Sequence, residues 1–339
     1  MTRISSPRVS VVLPVYNGLP YLHAAISSIL SQSFADFELI VIDDGSVDGS
    51  AFVLDDFDDQ RIRFFRHSNQ GLARTLNHGI SLACGTYVAR QDQDDLSHPD
   101  RLALQVAHME AHQDCVLVGS WAQIMEVDRL VERFHRHPVD EPTLRYQLLF
   151  NNPFVHSSVL LRRSTLQQVG GYTTDPARQP PEDYELWSRL SRVGSVANLG
   201  QVLLVYREIP GSMSRVGPSP FRSRLITISA ENIAAAAGLP SGDPCVQAIA
   251  ALTHGDASSL QPPLDFARMQ EVLLQAIQNI ASGQTLSHLS QDALARVQAM
   301  KGAWMVRASP IYVLLHSAGP LRNLAKRIWR LAQRFRGPQ

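Results

Sequence analysis

The feature that most constrains the fold is an alternation of short apolar runs with amphipathic segments. Apolar runs rich in β-branched residues occupy positions 9–15, 37–42, 61–65 and 85–90. Such runs are typical of parallel strands that are covered on both faces. Apolar residues at helical spacing follow the first run, over 21–34, and the third run, over 72–85. Strands that alternate with helices predict an α/β domain with a mainly parallel sheet.

The alternation continues to about residue 208 and then stops. Further strands are predicted over 114–125, 154–161 and 198–208, and further helices over 97–112 and 180–194. The helix over 97–112 is expected to begin with Ser97 as its N-cap. The segment 209–220 is rich in Gly, Pro and Ser, which is typical of a linker.

Beyond this linker the patterns are helical, over 221–237, 264–281, 290–307 and 320–336. We therefore predict an α/β domain over residues 1–210 and a helical C-terminal region over residues 211–339. The helix over 320–336 is basic and amphipathic. It can dock on its own domain, contact a second subunit of a homo-oligomer, or lie on an anionic membrane surface.

Composition argues against several classes of protein. The 339 residues carry a formal net charge of zero, so no overall field favours nucleic acid or an anionic membrane. The three cysteines form no C-x-x-C pair, which argues against a disulfide framework or a thiolate zinc site. The sequence lacks a signal-peptide pattern and an apolar stretch of the ~18 residues that span a bilayer. We expect a cytoplasmic protein, with peripheral contact at the inner face of the membrane as an alternative.

Polar clusters follow each of the first four predicted strands. They read "PVYNG", "DDGS", "SNQGLARTLN" and "QDQDD". In open α/β sheets, ligands bind beyond the carboxyl ends of the strands. The sequence therefore predicts one ligand site to which all four clusters contribute.

The "DDGS" segment has two interpretations. It can be an Asp-Gly turn in which Ser46 caps a helix. Alternatively, Asp43 or Asp44 accepts hydrogen bonds from a nucleoside. Neither G-x-G-x-x-G nor G-x-x-x-x-G-K-[ST] occurs, which disfavours a nicotinamide dehydrogenase and a P-loop protein. Something other than a glycine loop must then neutralise bound phosphates.

The "QDQDD" segment can supply a metal. Asp92 and Asp94 are two residues apart, so on extended backbone they share a face. Magnesium and manganese are often held by one or two carboxylates plus substrate phosphates. The alternative is a solvated acidic loop that precedes a helix capped by Ser97.

Two more carboxylates begin the helix predicted over 180–194. Glu182 and Asp183 can stabilise the positive end of the helix dipole. Asp183 can also act as a general base toward an incoming hydroxyl. The sequence alone does not separate these roles, and both can hold.

Taken in order, seven motifs of this chain resemble one family of enzymes. They are "PVYN", "DDGS", "NQGLARTLNHGI", "ARQDQDDLSHPDRL", "HSSVLLRRS", "GGY" and "PEDYELWSRL". Over residues 8–215 the chain resembles the inverting glycosyltransferases of family 2. The resemblance implies a GT-A fold and the transfer of a hexosyl group from a nucleoside-diphosphate sugar to an acceptor hydroxyl. UDP is the expected nucleotide, and a glycan or lipid-linked glycan of the cell surface is the expected acceptor.

The resemblance also implies roles for individual residues. The nucleoside pocket is implied to include Pro14, Tyr16, Asn17, Asp43 and Asp44. The segment beside the donor is implied to include Asn69, Gly71, Leu72 and Asn77. Asp92 and Asp94 match the pair that holds the donor and a divalent metal, Mn or Mg, and Asp95 matches a third acid found there. Asp183 matches the general base, with Glu182 beside it. His156 matches a position near the donor and is alternatively a hydrogen-bonded structural histidine.

The chain departs from the family at two positions. Gln91 stands where an apolar residue is usual. Ile209 stands where the family's Y-R-x-H motif has a histidine, so either Arg207 or another residue replaces it in the donor site, or the metal binds more weakly. The second departure motivates an alternative of another class, a catalytically silent nucleotide-sugar binding module in a glycan-assembly complex. An integral polysaccharide synthase is disfavoured because spanning helices and the Q-x-x-R-W motif are absent from the sequence.

Overall fold

The computed structural model describes residues 6–209 and 221–308. The predicted helix over 320–336 and nearly all of the predicted linker lie outside these residues. Along the chain the described elements are, in order, β1 (Val9–Val15), α1 (Leu22–Leu30), β2 (Phe37–Asp43), a 3₁₀ turn (Ser50–Asp56), β3 (Ile62–Arg66), α2 (Leu72–Leu82), β4 (Tyr87–Arg90), β5 (Leu96–Ser97), α3 (Arg101–Ala111), β6 (Cys115–Glu126), β7 (Arg129–His135), α4 (Glu141–Leu148), a 3₁₀ turn (His156–Ser158), β8 (Leu160–Arg162), α5 (Arg163–Gln168), α6 (Glu182–Leu190), β9 (Ser195–Glu208), α7 (Arg222–Ala237), α8 (Pro244–Thr253), α9 (Phe266–Ile280) and α10 (Gly283–Ala308).

The described strands form one sheet in the order β3-β2-β1-β4-β8-β6-β9-β5, with β7 paired to β6. The pairs among β1 to β4 are parallel, and so is the pair of β6 with β9. Strand β8 lies antiparallel between β4 and β6 and joins the two parallel parts. The predicted fold class, α/β with a mainly parallel sheet and C-terminal helices, is confirmed.

The first strands form because their apolar residues are covered on both faces of the sheet. Every residue of β1 and β2 is buried. Val12, Ile40 and Ile42 contribute to the core on one face. Val11 and Leu39 contribute to the core on the other face, against α1 and α3. A continuous apolar run is therefore needed at these strands, where a half-exposed strand would need alternation.

Several predicted details are wrong. Of the strand predicted over 154–161, only Leu160 and Leu161 lie in a strand, β8, and His156–Ser158 form a 3₁₀ turn instead. Ser97 belongs to β5 and does not cap α3, which begins at Arg101 after Asp100. Ser46 does not cap a helix either, because the 3₁₀ turn that follows begins at Ser50 with Gly49 at its N-cap position.

The chain divides into two compact units, residues 1–232 and 233–339. In the first unit, α6 packs Leu186, Trp187 and Leu190 into the core, as their spacing predicts. In the second unit, α8, α9 and α10 bury apolar side chains that include Ile249 and Leu273. The predicted boundary at residues 210 and 211 stays a prediction. Over residues 6–209 and 221–308, none of the helices has the length and apolar character needed to cross a membrane.

Candidate active site

The loop after β1 is tied to the turn after β2. Asn17, at φ +50°, donates its backbone N–H to the Ser46 hydroxyl at 3.0 Å. Its side-chain oxygen accepts from Val47 N at 3.0 Å. Pro14 is buried in β1, whereas Tyr16 and Asn17 are exposed. The two exposed residues of the predicted nucleoside pocket therefore lie on a loop that is hydrogen-bonded to the turn after β2.

Asp43 and Asp44 are both buried and both hold backbone turns. Asp43 Oδ1 accepts from Ser46 N at 2.8 Å, and its Oδ2 forms an ion pair with Arg66 Nε at 3.0 Å. Asp44 accepts from the backbone N–H groups of Gln70 and Gly71 at 2.7 and 3.0 Å. These carboxylates stabilise the turns that follow β2 and β3 at the edge of the sheet. Their predicted contact with a nucleoside stays a prediction.

Asn69, Gly71 and Asn77 lie beside the same edge. Asn69 is exposed, and Gly71, at φ +87°, precedes α2 in a conformation that favours glycine. The Asn77 amide donates to Tyr172 O at 2.8 Å and accepts from Tyr172 N at 2.9 Å. Asn77 thus fastens α2 to the segment before α6. Leu72 is the first residue of α2 and packs partly buried against the core.

Gln91 closes the acidic loop formed by residues 91–95. Its amide donates to Asp95 O at 2.8 Å, and its Oε1 accepts from the Ser97 hydroxyl and Arg101 Nη1 at 2.7 and 2.9 Å. Because Gln91 is fully buried, these hydrogen bonds satisfy its polar atoms. Gln91 stands where the family usually has an apolar residue, and here its side-chain oxygen serves as a hydrogen-bond acceptor for the buried Arg101.

The carboxylates of the acidic loop repel one another. Burial and the nearby Asp92 raise the pKa of Asp94 from 3.8 to about 6. Burial, followed by Asp92 and Asp94, raises the pKa of Asp95 well above its ordinary value. Asp95 Oδ1 also accepts from Arg207 N at 2.8 Å. Asp92 is more open, with 31% of its side chain exposed.

Arg90, which the sequence reasoning did not single out, lies among these acids and the pair on α6. Its side chain is 2% exposed, and its guanidinium forms an ion pair with Asp92 Oδ1. Its positive charge opposes the rise in the pKa of Asp94 and of Asp183. One buried cation is therefore within electrostatic range of the acidic loop and of the predicted base.

The predicted base Asp183 lies in the first turn of α6. Its Oδ2 accepts from Asn152 Nδ2 at 2.8 Å, and its Oδ1 accepts from Tyr184 N at 2.7 Å. Burial and the neighbouring Glu182 raise the pKa of Asp183 to about 7. Burial also raises the pKa of Glu182. A carboxyl whose pKa is near neutral suits proton transfer at neutral pH.

His156 is enclosed beside this helix. Its Nε2 hydrogen-bonds the Tyr172 hydroxyl at 2.8 Å, and its ring lies edge-on to Trp187 at 5.7 Å. Burial and the Arg90 charge lower the pKa of His156 well below its ordinary value. These contacts support the structural alternative for His156, a neutral ring that packs under the site.

Arg207 supports the acidic loop and is occupied by structural contacts. Its Nε donates to Asp94 O at 2.9 Å, and its Nη1 donates to Val127 O and to Asp128 Oδ1. Its guanidinium also lies 4.2 Å from the centre of the Tyr21 ring. Ile209 follows β9 and is partly buried.

Two other residues of the site escaped sequence reasoning. The Gln93 amide accepts from Tyr16 N at 2.8 Å and donates to Tyr16 O at 3.1 Å, which joins the acidic loop to the loop after β1. Asn152 reaches Asp183 across 31 positions of the chain. Gln93 stands between the paired aspartates and Asn152 precedes a proline, but neither pattern indicates a partner.

Within the described part of the chain, no three or more His, Cys, Asp or Glu side chains are grouped to hold a metal by themselves. The residues still fit a magnesium or manganese ion that takes further ligands from substrate phosphates. Burial is the first cause of the raised pKa of Asp94, and repulsion from Asp92 is the second. A bound cation would relieve that repulsion.

Solved structures with a similar fold include a mannosyltransferase and a protein in complex with a nucleotide sugar. S. aureus TarS 1-349 in complex with UDP-GlcNAc has a TM-score of 0.58 at 18% identity, covering 89% of this chain and 91% of that chain. The mannosyltransferase PcManGT from Pyrobaculum calidifontis, in complex with GDP-Man and Mn²⁺, has a TM-score of 0.50 at 18% identity. This match covers 97% of this chain and 81% of PcManGT. The fold of this chain is the GT-A fold of glycosyltransferases.

Sequence comparison gives the family. Residues 10–170 match the model of Glycosyl transferase family 2. EpsE of Bacillus subtilis (strain 168), itself only provisionally assigned as a glycosyltransferase, is 34% identical over 233 residues, which are 67% of this chain and 80% of EpsE. An uncharacterized glycosyltransferase of Haemophilus influenzae is 30% identical over 212 residues, 59% of this chain and 65% of that protein. The chain belongs to glycosyltransferase family 2, as the motifs predict. Some relatives are much longer, and the match covers 36% of a Rickettsia felis glycosyltransferase.

Proposed function

We propose that this protein transfers a hexosyl group from a nucleoside-diphosphate sugar, a UDP-sugar in preference, to a hydroxyl of a glycan or lipid-linked glycan, with inversion at the anomeric carbon. The observation that carries the proposal is the environment of Asp183. This carboxyl lies in the first turn of α6, has a pKa of about 7, and is within electrostatic range of Arg90, the buried cation that pairs with Asp92. The nucleotide sugars bound by TarS and PcManGT support the donor class.

Asp183 is the general base of the proposed reaction. At neutral pH a substantial fraction of this carboxyl is ionised and can accept the proton of the acceptor hydroxyl. The hydroxyl oxygen then attacks the anomeric carbon from the face opposite the diphosphate. The bond to the diphosphate breaks as the new glycosidic bond forms, so no sugar–enzyme intermediate is required.

Asp92 and Asp94 would hold the divalent metal together with the donor phosphates. When bound, a metal of this kind stabilises the negative charge that develops on the departing diphosphate. Gln91 and Arg207 fix the backbone of the acidic loop that presents these two carboxylates. Gln93 ties the loop after β1 to the acidic loop, which supports placing the proposed nucleoside pocket beside the proposed metal ligands.

Transfer and binding assays test the proposal together. We expect calorimetry to detect binding of uridine diphosphate that strengthens with manganese and exceeds the binding of guanosine diphosphate. We expect Asp94→Ala to weaken the manganese-dependent part, and an unchanged manganese titration would contradict the metal assignment. We expect Asp183→Asn to bind the donor and to lose turnover, so wild-type turnover in this variant would remove Asp183 from the mechanism.

A silent nucleotide-sugar binding module is the second candidate. The contacts of Arg207 favour it, because this arginine is occupied by Asp94 O and Asp128 and so does not replace the histidine whose place is taken by Ile209. Donor binding without hydrolysis or transfer, by the wild-type protein across a panel of nucleotide sugars and acceptors, would favour this candidate over the enzyme.

A further inference from the structure

We propose that Asn152 is a positioning residue that orients the Asp183 carboxylate for proton transfer and keeps it ionised. The inference rests on the proposed role of Asp183 as the base. Asn152 lies in the loop that follows α4, and its amide nitrogen is 2.8 Å from Asp183 Oδ2. Neither composition nor spacing pointed to this residue, which is separated from Asp183 by 31 positions.

The orientation of the Asn152 amide is fixed by its second contact. Asn152 Oδ1 accepts a hydrogen bond from Phe154 N at 3.0 Å. An N–H donor requires the oxygen on that side, so the amide nitrogen must face Asp183. Both contacts agree on one orientation, in which Asn152 donates to the carboxylate.

The loop that carries Asn152 is held against α6 on its other side. Pro153 O accepts from Asn198 Nδ2 at 3.0 Å, which anchors the loop to β9. The Phe154 ring lies edge-on to Trp187 of α6, with the ring centres 6.4 Å apart. The Asn152 amide and the helix that carries Asp183 are therefore held at a fixed separation, as precise positioning of a catalytic group requires.

Asn152 completes the fixing of both carboxylate oxygens. Asp183 Oδ1 is held by Tyr184 N, and Oδ2 is held by Asn152. Without Asn152, the carboxyl can rotate about its Cβ–Cγ bond and present either oxygen to the acceptor. The remaining hydrogen bond from Tyr184 N would then not be enough to fix which carboxylate oxygen receives the proton.

The contact from Asn152 also affects ionisation. Burial disfavours the charge of Asp183 most strongly and Glu182 disfavours it next, while Tyr184 N–H and Arg90 favour it. The Tyr172 hydroxyl also lies within electrostatic range of Asp183. A hydrogen bond donated to the ionised carboxylate favours that form and so acts with Arg90. Loss of the Asn152 donor removes this stabilisation and increases the protonated, inactive fraction near pH 7.

Kinetics of Asn152→Ala over a range of pH, with Asn151→Ala as the matched control, tests the inference. Asn151 is the adjacent, exposed asparagine, and the Asp183 contact belongs to its neighbour. We expect Asn152→Ala to lower kcat roughly 10- to 100-fold, part of the roughly 10²- to 10⁴-fold that a general base contributes, with donor KM nearly unchanged. We also expect the acidic limb of its pH–kcat profile to move to higher pH, so that alkaline pH restores part of the activity. Asn151→Ala should match wild type.

A second variant covers the case in which the alanine variant does not fold. Asn152→Asp keeps the side-chain volume and the acceptor for Phe154 N but places a second carboxylate against Asp183. We expect it to lose at least as much kcat as Asn152→Ala and to shift the acidic limb further. Wild-type kcat, or a loss of kcat without any shift of the pH profile, in the folded variants would overturn the inference.

The base assignment is measured separately with Asp183→Asn. If Asp183→Asn is inactive and Asn152→Ala behaves as wild type, the positioning role of Asn152 is wrong while the proposed function stands. If Asp183→Asn retains wild-type turnover, the proposed mechanism itself is wrong.

Discussion

Replacing Asp183 by asparagine is expected to stabilise the folded protein above pH 7 while it removes activity. The reason is the raised pKa of this carboxyl, about 7 in the folded protein against an ordinary value of 3.8. Between these two values the folded protein binds more protons than the unfolded chain, so the free energy of unfolding falls as pH rises. The destabilisation that comes from burying the ionised Asp183 carboxylate is absent below about pH 4 and complete above about pH 7. A neutral amide carries no such penalty at any pH.

The magnitude follows from the two pKa values and from one hydrogen bond. At about 1.36 kcal/mol for each pKa unit, the difference between the folded and unfolded pKa of Asp183 corresponds to roughly 4 kcal/mol of lost stability. This is an upper value, because the Asp183 side chain is partly exposed and solvent screens its charge. Asparagine accepts from either Asn152 or Tyr184 N but not from both, since one of its two groups is a donor, which costs about 1 kcal/mol. We therefore expect a net stabilisation of roughly 2 kcal/mol at pH 8 and a slight destabilisation at pH 4.

Urea denaturation at pH 4 and pH 8, followed by intrinsic fluorescence with a metal chelator present, measures this difference. Asp58→Asn, which makes the same change at an exposed aspartate outside the site, is the matched control. If Asp183→Asn changes the free energy of unfolding equally at both pH values, the raised pKa of Asp183 is refuted. A variant that is less stable than wild type at pH 8 would show that the lost hydrogen bond outweighs the relief of buried charge.

Two further predictions concern the reaction and the packing of the sheet. With saturating donor and acceptor, kcat should fall as pH drops below about 7, because protonated Asp183 cannot accept a proton, and a pH–rate profile checks this. Gly85→Ala should lower the free energy of unfolding by about 1–3 kcal/mol, since its new Cβ would lie 2.6 Å from Ser10 N in the backbone of β1. Gly302→Ala, which meets open space in α10, should instead be neutral or stabilise the protein by up to about 1 kcal/mol, and urea denaturation compares the two.

The central strands could be predicted because their signal is local. Continuous apolar runs such as Val9–Val15 have few alternatives to a strand that is covered on both faces. Strand β7 was missed because it carries charged, exposed residues at the edge of the sheet and lacks an apolar run. Helices α4 and α8 were missed although each has an aspartate N-cap, Asp140 or Asp243, and a proline in its first turn. That capping signal was available and would have found both helices.

The sequence predicts where the polar residues that follow the strands gather, but not the contacts among them. Polar residues that end parallel strands meet at one edge of the sheet, which is a consequence of topology. By contrast, Gln93 reaches Tyr16 across 77 positions, and Arg207 reaches Asp95 across 112. Pairings at such separations depend on the path of the whole chain, so local spacing does not contain them. The turn at Asp43 is local and follows from the Asp-Gly pair, whereas the contact of Asp44 with Gln70 N spans 26 positions and has no local signal.

The charge balance of the site links the donor to the metal. Burial and mutual repulsion raise the pKa of Asp94, Asp95, Glu182 and Asp183, although the buried Arg90 opposes this in part. A free nucleoside diphosphate would add negative charge to a region that already contains several acidic side chains. A divalent cation cancels most of the diphosphate charge, so the two together enter at little electrostatic cost. The dependence of nucleotide binding on metal should therefore weaken when Asp94 is made neutral, because the repulsion that the cation offsets is then smaller.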